Sequence, residues 1–221
     1  MRIWFVAAAV CAAPLAAAHA QTPEAVVKRA VAAYRAVHTV KASFTQTLTN
    51  PLLGSKVVSH GELVQRMPGR LSVRFTDPDG DRIVADGQWV WIYMPSSNPG
   101  QVLRMRAGSG VAGSADVTAQ FLESPTTRYR LSDGGADTVH GRPAHVVVLV
   151  PRDSSIPFTR ARIWVDDKDA LVRQFETEDT NGVVRFVTID DVRTNVPVSA
   201  SAFRFTPPPG VKVYDRGSGG Q

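Results

Sequence analysis

The chain has 221 residues, of which 43% are hydrophobic, and its formal net charge is +5 at pH 7. This length allows one domain with a sizeable core, which we expect rather than two small domains. The basic residues are scattered along the chain, which excludes a typical nucleic-acid-binding protein and leaves a mild attraction to anionic surfaces or acidic partners.

The first twenty residues have the pattern of a secretory signal peptide. Arg2 precedes an apolar run that reaches Ala17, and Ala18-His19-Ala20 then forms a small-residue cleavage site. The run is too short for a stable membrane span. We therefore predict a periplasmic protein with a signal peptide over 1–20, a single domain over 21–215 and a disordered tail over 216–221.

The single cysteine of the sequence lies inside this predicted signal peptide. Cleavage after Ala20 removes Cys11, so the mature chain has no disulfide. A lipid-anchored precursor would place its cysteine at the first mature position, which makes a lipid anchor the weaker alternative.

The mature chain begins with a predicted helix. Thr22 is a capping residue, and Pro23 suits the first helical position. Apolar residues then recur at helical spacing as far as Val37. A second, short helix is expected over Ala115 to Leu122, after a glycine-rich segment.

From Lys41 to Asp191 the sequence is typical of short strands separated by turns. Pro-Gly, Asp-Gly and Asn-Gly pairs divide alternating or apolar runs, which favours antiparallel hairpins in sequence order. About eleven strands are expected if one or two neighbouring runs merge. The runs are 41–49, 56–66, 70–77, 81–86, 88–94, 101–106, 126–132, 136–140, 143–151, 159–166, 171–179 and 183–191.

No group of residues in the sequence indicates catalysis. His140 and His145 flank a predicted turn, but nothing at regular spacing completes a metal site around them. The pairs Asp166-Asp167 and Asp190-Asp191 fall at turns and strand ends, where aspartate bonds its own backbone. A nucleophile elbow and a phosphate-binding glycine loop are also absent from the sequence. We expect a non-enzymatic protein without metal or cofactor.

One predicted strand carries a surplus of apolar residues. Both alternating sets of Trp89-Val90-Trp91-Ile92-Tyr93-Met94 are hydrophobic, so this strand must be covered on two faces. Leu71, Val73 and Phe75 alternate with polar residues instead and mark one buried face. The second cover of the Trp89 strand is either ordinary core or a bound apolar ligand.

Several short motifs follow one another along the mature chain. They are Ala42-Ser43-Phe44-Thr45-Gln46, Gly61-Glu62-Leu63, Pro68-Gly69-Arg70-Leu71, Asp86-Gly87, Trp91-Ile92-Tyr93 with Pro95, and Phe203-Arg204-Phe205-Thr206-Pro207-Pro208-Pro209-Gly210-Val211. In order and spacing the chain resembles the periplasmic outer-membrane lipoprotein carriers, the LolA-like family, over nearly its whole mature length.

The resemblance implies a mainly β (α+β) fold, an incomplete antiparallel β-barrel of about eleven strands with helices lidding an apolar concave face. It implies a monomeric carrier that takes triacylated lipoproteins from an inner-membrane lipoprotein-releasing ABC transporter to an outer-membrane acceptor lipoprotein. The implied acyl-chain cavity comprises Leu63, Leu71, Val73, Phe75, Ile83, Trp91 and Tyr93. The implied lid comprises Val27, Val31, Tyr34, Phe121 and Leu122.

One position departs from the family's pattern. Members commonly have arginine directly before the proline of the third motif, Pro68 in this chain, where it hydrogen-bonds the lid, and Met67 stands there instead. Arg66 and Arg70 are the candidates for a lid latch or a partner contact.

Other functions stay open for the same half-barrel. It could serve as an envelope lipid-binding or stress-sensing module with a protein partner, or carry another lipid. A hydrolase acting on a lipid is disfavoured because the sequence lacks a nucleophile arrangement.

Overall fold

A computed structural model describes residues 21–108 and 118–216. None of the helices in these ranges is long and apolar enough to cross a membrane. The elements in chain order are α1 (Pro23–Arg35), β1 (Thr39–Asn50), β2 (Ser55–Arg66), β3 (Arg70–Asp77), β4 (Asp79–Asp86), β5 (Trp89–Tyr93), β6 (Gln101–Arg106), α2 (Ala119–Leu122), α3 (Pro125–Arg128), β7 (Tyr129–Val139), β8 (Arg142–Pro151), β9 (Arg160–Asp166), β10 (Val172–Glu178), β11 (Val184–Thr194), a 3-10 helix (Ala200–Phe203) and β12 (Lys212–Asp215).

The strands form one twelve-stranded sheet in the order β12-β6-β5-β4-β3-β2-β1-β11-β10-β9-β8-β7. Neighbours are antiparallel hairpin partners with two exceptions. The pairing of β1 with β11 joins the two halves of the sheet, and β12 pairs with β6 in parallel. Because β12 and β7 are the two edges of this order, the sheet is open, and the predicted mainly β, incompletely closed fold is confirmed.

Most predicted runs coincide with strands, and the differences have local causes. The runs 126–132 and 136–140 merge into β7, across an irregularity between Asp133 and Ala136. β7 begins only at Tyr129, because Pro125 opens the short helix α3. Strand β12 was not expected. Three predicted segments lie outside the described residues: the signal peptide, helix residues 115–117, and residues 217–221 of the tail.

Helix α1 forms as its sequence predicts, but it ends at Arg35, two residues earlier than expected. The Oγ1 atom of Thr22 accepts a hydrogen bond from the Ala25 N–H at 3.3 Å, and Pro23 occupies the first turn. The apolar stripe of α1 faces the sheet, with Val27 and Ala30 each only 1% exposed.

The core lies between one face of the sheet and helices α1 and α2. We call this the inner face and the opposite one the outer face. Gly61 on β2 is required there, because a Cβ atom at this position would lie 2.5 Å from the Phe44 ring and 2.6 Å from the Arg74 carbonyl oxygen. Its absence lets Phe44 meet Phe75 edge to face, with ring centroids 5.4 Å apart.

Candidate functional site

Five of the predicted cavity residues share the inner face. Leu71 and Val73 on β3 are buried, and their β2 partners are Gln65 and Leu63. Val73 also pairs with Ile83 on β4. Since directly paired residues point to the same face of a sheet, the register brings together Leu63, Leu71, Val73, Phe75 and Ile83.

The other two predicted cavity residues lie on the outer face. Trp91 pairs with Val84 and Tyr93 pairs with Arg82, whereas the inner-face residue Ile83 pairs with Ile92. Because side chains alternate along a strand, β5 presents Ile92 and Val90 to the inner face instead. The structure therefore separates Trp91 and Tyr93 from the other five residues.

The second cover of β5 is the chain's own C-terminal segment. The ring of Phe205 lies 5.8 Å from that of Trp91 and 6.1 Å from that of Tyr93, measured between centroids. Downstream, the Asp215 carboxylate accepts two hydrogen bonds from the Arg104 guanidinium, at 2.6 and 2.8 Å. The apolar surplus of β5 is thus explained on the outer face without a ligand.

Asp86 fixes the orientation of the outer aromatic residues. Its carboxylate accepts hydrogen bonds from Trp91 Nε1 at 3.0 Å and from the backbone N–H groups of Trp89 and Gln88 at 2.7 and 2.8 Å. Partial burial raises the pKa of Asp86, but these hydrogen bonds outweigh burial and hold the pKa below its ordinary value. The Asp86-Gly87 motif therefore has a structural role: it holds the turn before β5 and orients Trp91 on the outer face.

The five predicted lid residues pack on the inner face. Val27, Phe121 and Leu122 are buried, and the half-buried Val31 and Tyr34 belong to the same apolar cluster. The Phe121 ring lies 5.3 Å from the ring of Phe175 on β10. The helices therefore cover the sheet mainly through apolar contacts.

Two side chains of α1, those of Arg29 and Tyr34, make long polar contacts with the rest of the molecule. The Tyr34 hydroxyl lies 3.6 Å from Met67 Sδ, and Arg29 Nη1 donates to the Asp167 carbonyl at 3.4 Å. Asn195 Nδ2 donates to the Ala36 carbonyl at 3.3 Å. Shorter bonds hold the neighbouring segments: the His38 N–H donates to Asn195 Oδ1 at 2.8 Å, and the Tyr129 hydroxyl donates to the Gln120 carbonyl of α2 at 2.5 Å. The side chains of α1 are therefore tied more weakly than the turn after it and α2. Met67, the residue that departs from the family's pattern, is the partner of Tyr34.

The two candidate latch arginines are placed elsewhere. Arg66 donates a hydrogen bond to the Val198 carbonyl, and its guanidinium lies 5.5 Å from the ring centroid of Phe203. Arg66 therefore holds the C-terminal segment on the outer face. Arg70 is exposed, and its side chain lies beside Gly87 in the β4–β5 turn.

A small cavity of about 100 Å³ lies on the inner face, next to Thr118 at the start of α2. It could hold only a few water molecules, and an acyl chain is much larger. An open groove of about 750 Å³ leads from the end of α1 past Met67 to Leu122. The cavity is lined by Phe44, Gln46, Leu63, Gln65, Val73, Phe75, Ile83, Thr118, Phe175, Arg185, Val187 and Ile189.

The titratable clusters considered in the sequence have structural partners. Within 21–108 and 118–216 no three histidine, aspartate, glutamate or cysteine residues are placed to hold a metal ion. The buried Asp166 carboxylate accepts hydrogen bonds from Arg142 and from the backbone N–H groups of Lys168 and Asp169, which close the β9–β10 turn. His145 pairs with Asp133 at 2.8 Å across the β7–β8 hairpin.

Comparison with known proteins agrees with this architecture. The family model "Outer membrane lipoprotein carrier protein LolA" matches residues 35–206. The outer-membrane lipoprotein carrier protein of Halorhodospira halophila (strain DSM 244 / SL1) is 32% identical over 182 residues, which cover 82% of each chain.

Two solved structures are similar in fold. An uncharacterized conserved protein from Thermus thermophilus matches with a TM-score of 0.55 at 12% identity, over 87% of this chain and 98% of that chain. MucB matches with a TM-score of 0.52 at 18% identity, over 83% of this chain and 62% of that chain. From the family match and the identity to a curated carrier, the chain belongs to the LolA family of outer-membrane lipoprotein carrier proteins.

Proposed function

We propose that this protein binds the acyl chains of triacylated lipoproteins between the lid and the inner face and carries them across the periplasm. The observation that carries the proposal is the contrast between the apolar inner face and the long polar contacts of the α1 side chains, from Arg29 to the Asp167 carbonyl at 3.4 Å and from Tyr34 to Met67 Sδ at 3.6 Å. When acyl chains replace the apolar side chains of the lid, the inner face stays covered. The net free energy of this replacement is therefore close to zero.

The free energy of exposing acyl chains to water requires a carrier, and the need to release them limits how tightly the carrier can bind. At ~0.8 kcal/mol per methylene, three acyl chains with about 45 methylenes would cost on the order of 35 kcal/mol in water. The carrier must still release its cargo. A lid that returns to the inner face when cargo leaves compensates the lost acyl contacts and favours release.

The partners follow from this transport direction. An inner-membrane ABC transporter would supply the lipoprotein, and an outer-membrane acceptor lipoprotein would take it over. The open groove between α1 and Met67 is the route by which we expect acyl chains to pass under the lid. The carrier itself contributes binding and shielding and performs no covalent step.

The direct test asks what the protein acquires from inner membranes. The protein purified after export is incubated with spheroplasts, recovered, and its bound molecules are identified by mass spectrometry. Triacylated lipoproteins are expected. Recovery of phospholipid alone, or of nothing, would contradict the proposal.

Charge on the inner face provides a matched set of variants. Leu71→Glu places a carboxylate in the apolar interior and should abolish lipoprotein recovery. Ile83→Glu tests the same face at a half-buried position, where folding is disturbed less. Thr76→Glu, on the same strand as Leu71 but exposed, is the control and should retain recovery. If Leu71→Glu and Ile83→Glu both fold and still recover lipoprotein, the inner face is not the binding site.

A further inference from the structure

The β1–β2 hairpin ends in an exposed apolar tip, which we call the leucine tip (residues 50–55). Leu52 and Leu53 are 78% and 76% exposed, more than any other large hydrophobic residue in the described ranges. Val57 and Val58 on the same hairpin are 53% and 44% exposed. Such a concentration of apolar surface on one hairpin marks an interaction site.

The backbone N–H groups of both exposed leucines are paired within the leucine tip itself. Pro51 has no N–H group, and the N–H groups of Leu52 and Leu53 both donate to the Asn50 side-chain oxygen, at 3.0 and 3.2 Å. A lipid phase offers no hydrogen-bond partners, so a turn can enter it only when its donors are already paired. Other exposed turns of the chain, such as that of Asp179, have the same bonding, so the pairing permits insertion and the exposed leucines are what favour it.

The surroundings of the tip fit shallow insertion. Exposed Ser55 and Lys56 follow the leucines after Gly54, and the long lysine side chain can reach the headgroup layer while the leucines enter the acyl region. On the next part of the hairpin, Leu48 pairs with Val57. Leu48 lies on the same face as Phe44, which lines the cavity, so the tip lies at one end of the inner face.

We infer that the leucine tip is a membrane contact, in which Leu52 and Leu53 insert into the surface of a phospholipid bilayer. This contact brings one end of the inner face to the bilayer. It needs neither a lipoprotein nor a transporter, so it can be tested separately from the carrier function.

The test is flotation of the protein, purified after export, with vesicles of pure phosphatidylcholine. The wild-type protein should float with the vesicles, and Leu52→Ser with Leu53→Ser should lower the bound fraction by more than about tenfold. The matched control, Val213→Ser with Tyr214→Ser, removes two exposed apolar side chains from β12 and should float like wild type. Equal flotation of wild type and the double leucine variant, or no flotation of wild type, would overturn the inference.

Two further measurements distinguish insertion into the bilayer from non-specific adsorption to the vesicles. Asn50→Ala leaves both leucines in place but unpairs their N–H groups, and it should lower flotation at least about fivefold with little change in thermal stability. Leu53→Cys gives residues 21–221 their only thiol, so an environment-sensitive dye can be attached there alone. Its emission should shift to the blue when vesicles are added. An emission that responds only to an added membrane protein would assign the tip to a protein partner and overturn the inference.

Discussion

The strands β3 to β5 are covered on both faces, and the two covers differ in how they are held. On the inner face, the α1 side chains of Arg29 and Tyr34 make polar contacts of 3.4 and 3.6 Å. On the outer face, the C-terminal segment is fixed by the paired bonds from Arg104 to Asp215 at 2.6 and 2.8 Å and by the ladder between β12 and β6. Both covers are apolar, but the outer one has the shorter polar contacts, so we expect it to be permanent and α1 to be the removable cover.

The largest effect on stability is expected from a substitution in the C-terminal segment, the permanent cover of the outer face. Phe203 is 2% exposed and packs under Arg66. Phe203→Ala should lower the free energy of unfolding by about 3–5 kcal/mol, because it removes a buried ring. Chemical denaturation measures the loss. Lipoprotein recovery by the folded fraction should stay at the wild-type level, and a selective loss of recovery would place cargo on the outer face.

The next effect concerns local opening of the removable cover. The amide protons of α1 should exchange through an opening whose free energy is at least about 2 kcal/mol lower than that for the amides of β3. Native-state hydrogen exchange measures both. If α1 and β3 exchange only together, by global unfolding, the two covers do not differ as described.

Acid should weaken the outer face through Asp86. Its folded-state pKa lies below the ordinary value of 3.8, so its stabilisation is complete above that pH and is lost as the pH falls through the lowered pKa. Asp86→Asn should lower the free energy of unfolding at neutral pH by about 1.5 kcal/mol and flatten this acid dependence. Denaturation at a series of pH values gives both quantities. An unchanged acid profile in Asp86→Asn would exclude Asp86 as the source.

The smallest effect is expected at the lid contact with Met67. Tyr34→Phe removes the hydroxyl that lies 3.6 Å from Met67 Sδ, and should lower the opening free energy of α1 by only about 0.5 kcal/mol. Hydrogen exchange of α1 should accelerate roughly twofold. Tyr214→Phe, on exposed β12, is the control and should leave α1 unchanged. A slower exchange in Tyr34→Phe would contradict a latch at this contact.

Local sequence signals predicted much of the fold and part of the site. Thr22-Pro23 located the start of α1, and turn residues located most strand ends, because these signals act over a few residues. The inner face of β3 was predictable since only Leu71, Val73 and Phe75 of its alternating residues are apolar. These positions are the ones that the register then brings together with Leu63 and Ile83.

Long-range pairing decided what the sequence left open. Both alternating sets of β5 are apolar, so only its register with β4 could place Trp91 and Tyr93 on the outer face. The partner of Arg66, the Val198 carbonyl, lies 132 residues away along the chain. Strand β12 has four exposed residues and pairs with a strand far from it in sequence, which gives no local pattern to detect.

The central claim is that the lid must leave the inner face before cargo binds. Residues 21–221 contain no cysteine, so Tyr34→Cys with Met67→Cys creates a unique pair across the lid contact, which a short reducible bis-maleimide can bridge. Lipoprotein recovery from spheroplasts is then measured before and after reduction. The account predicts no recovery while the bridge is intact and restored recovery after cleavage. Equal recovery in both states would contradict it.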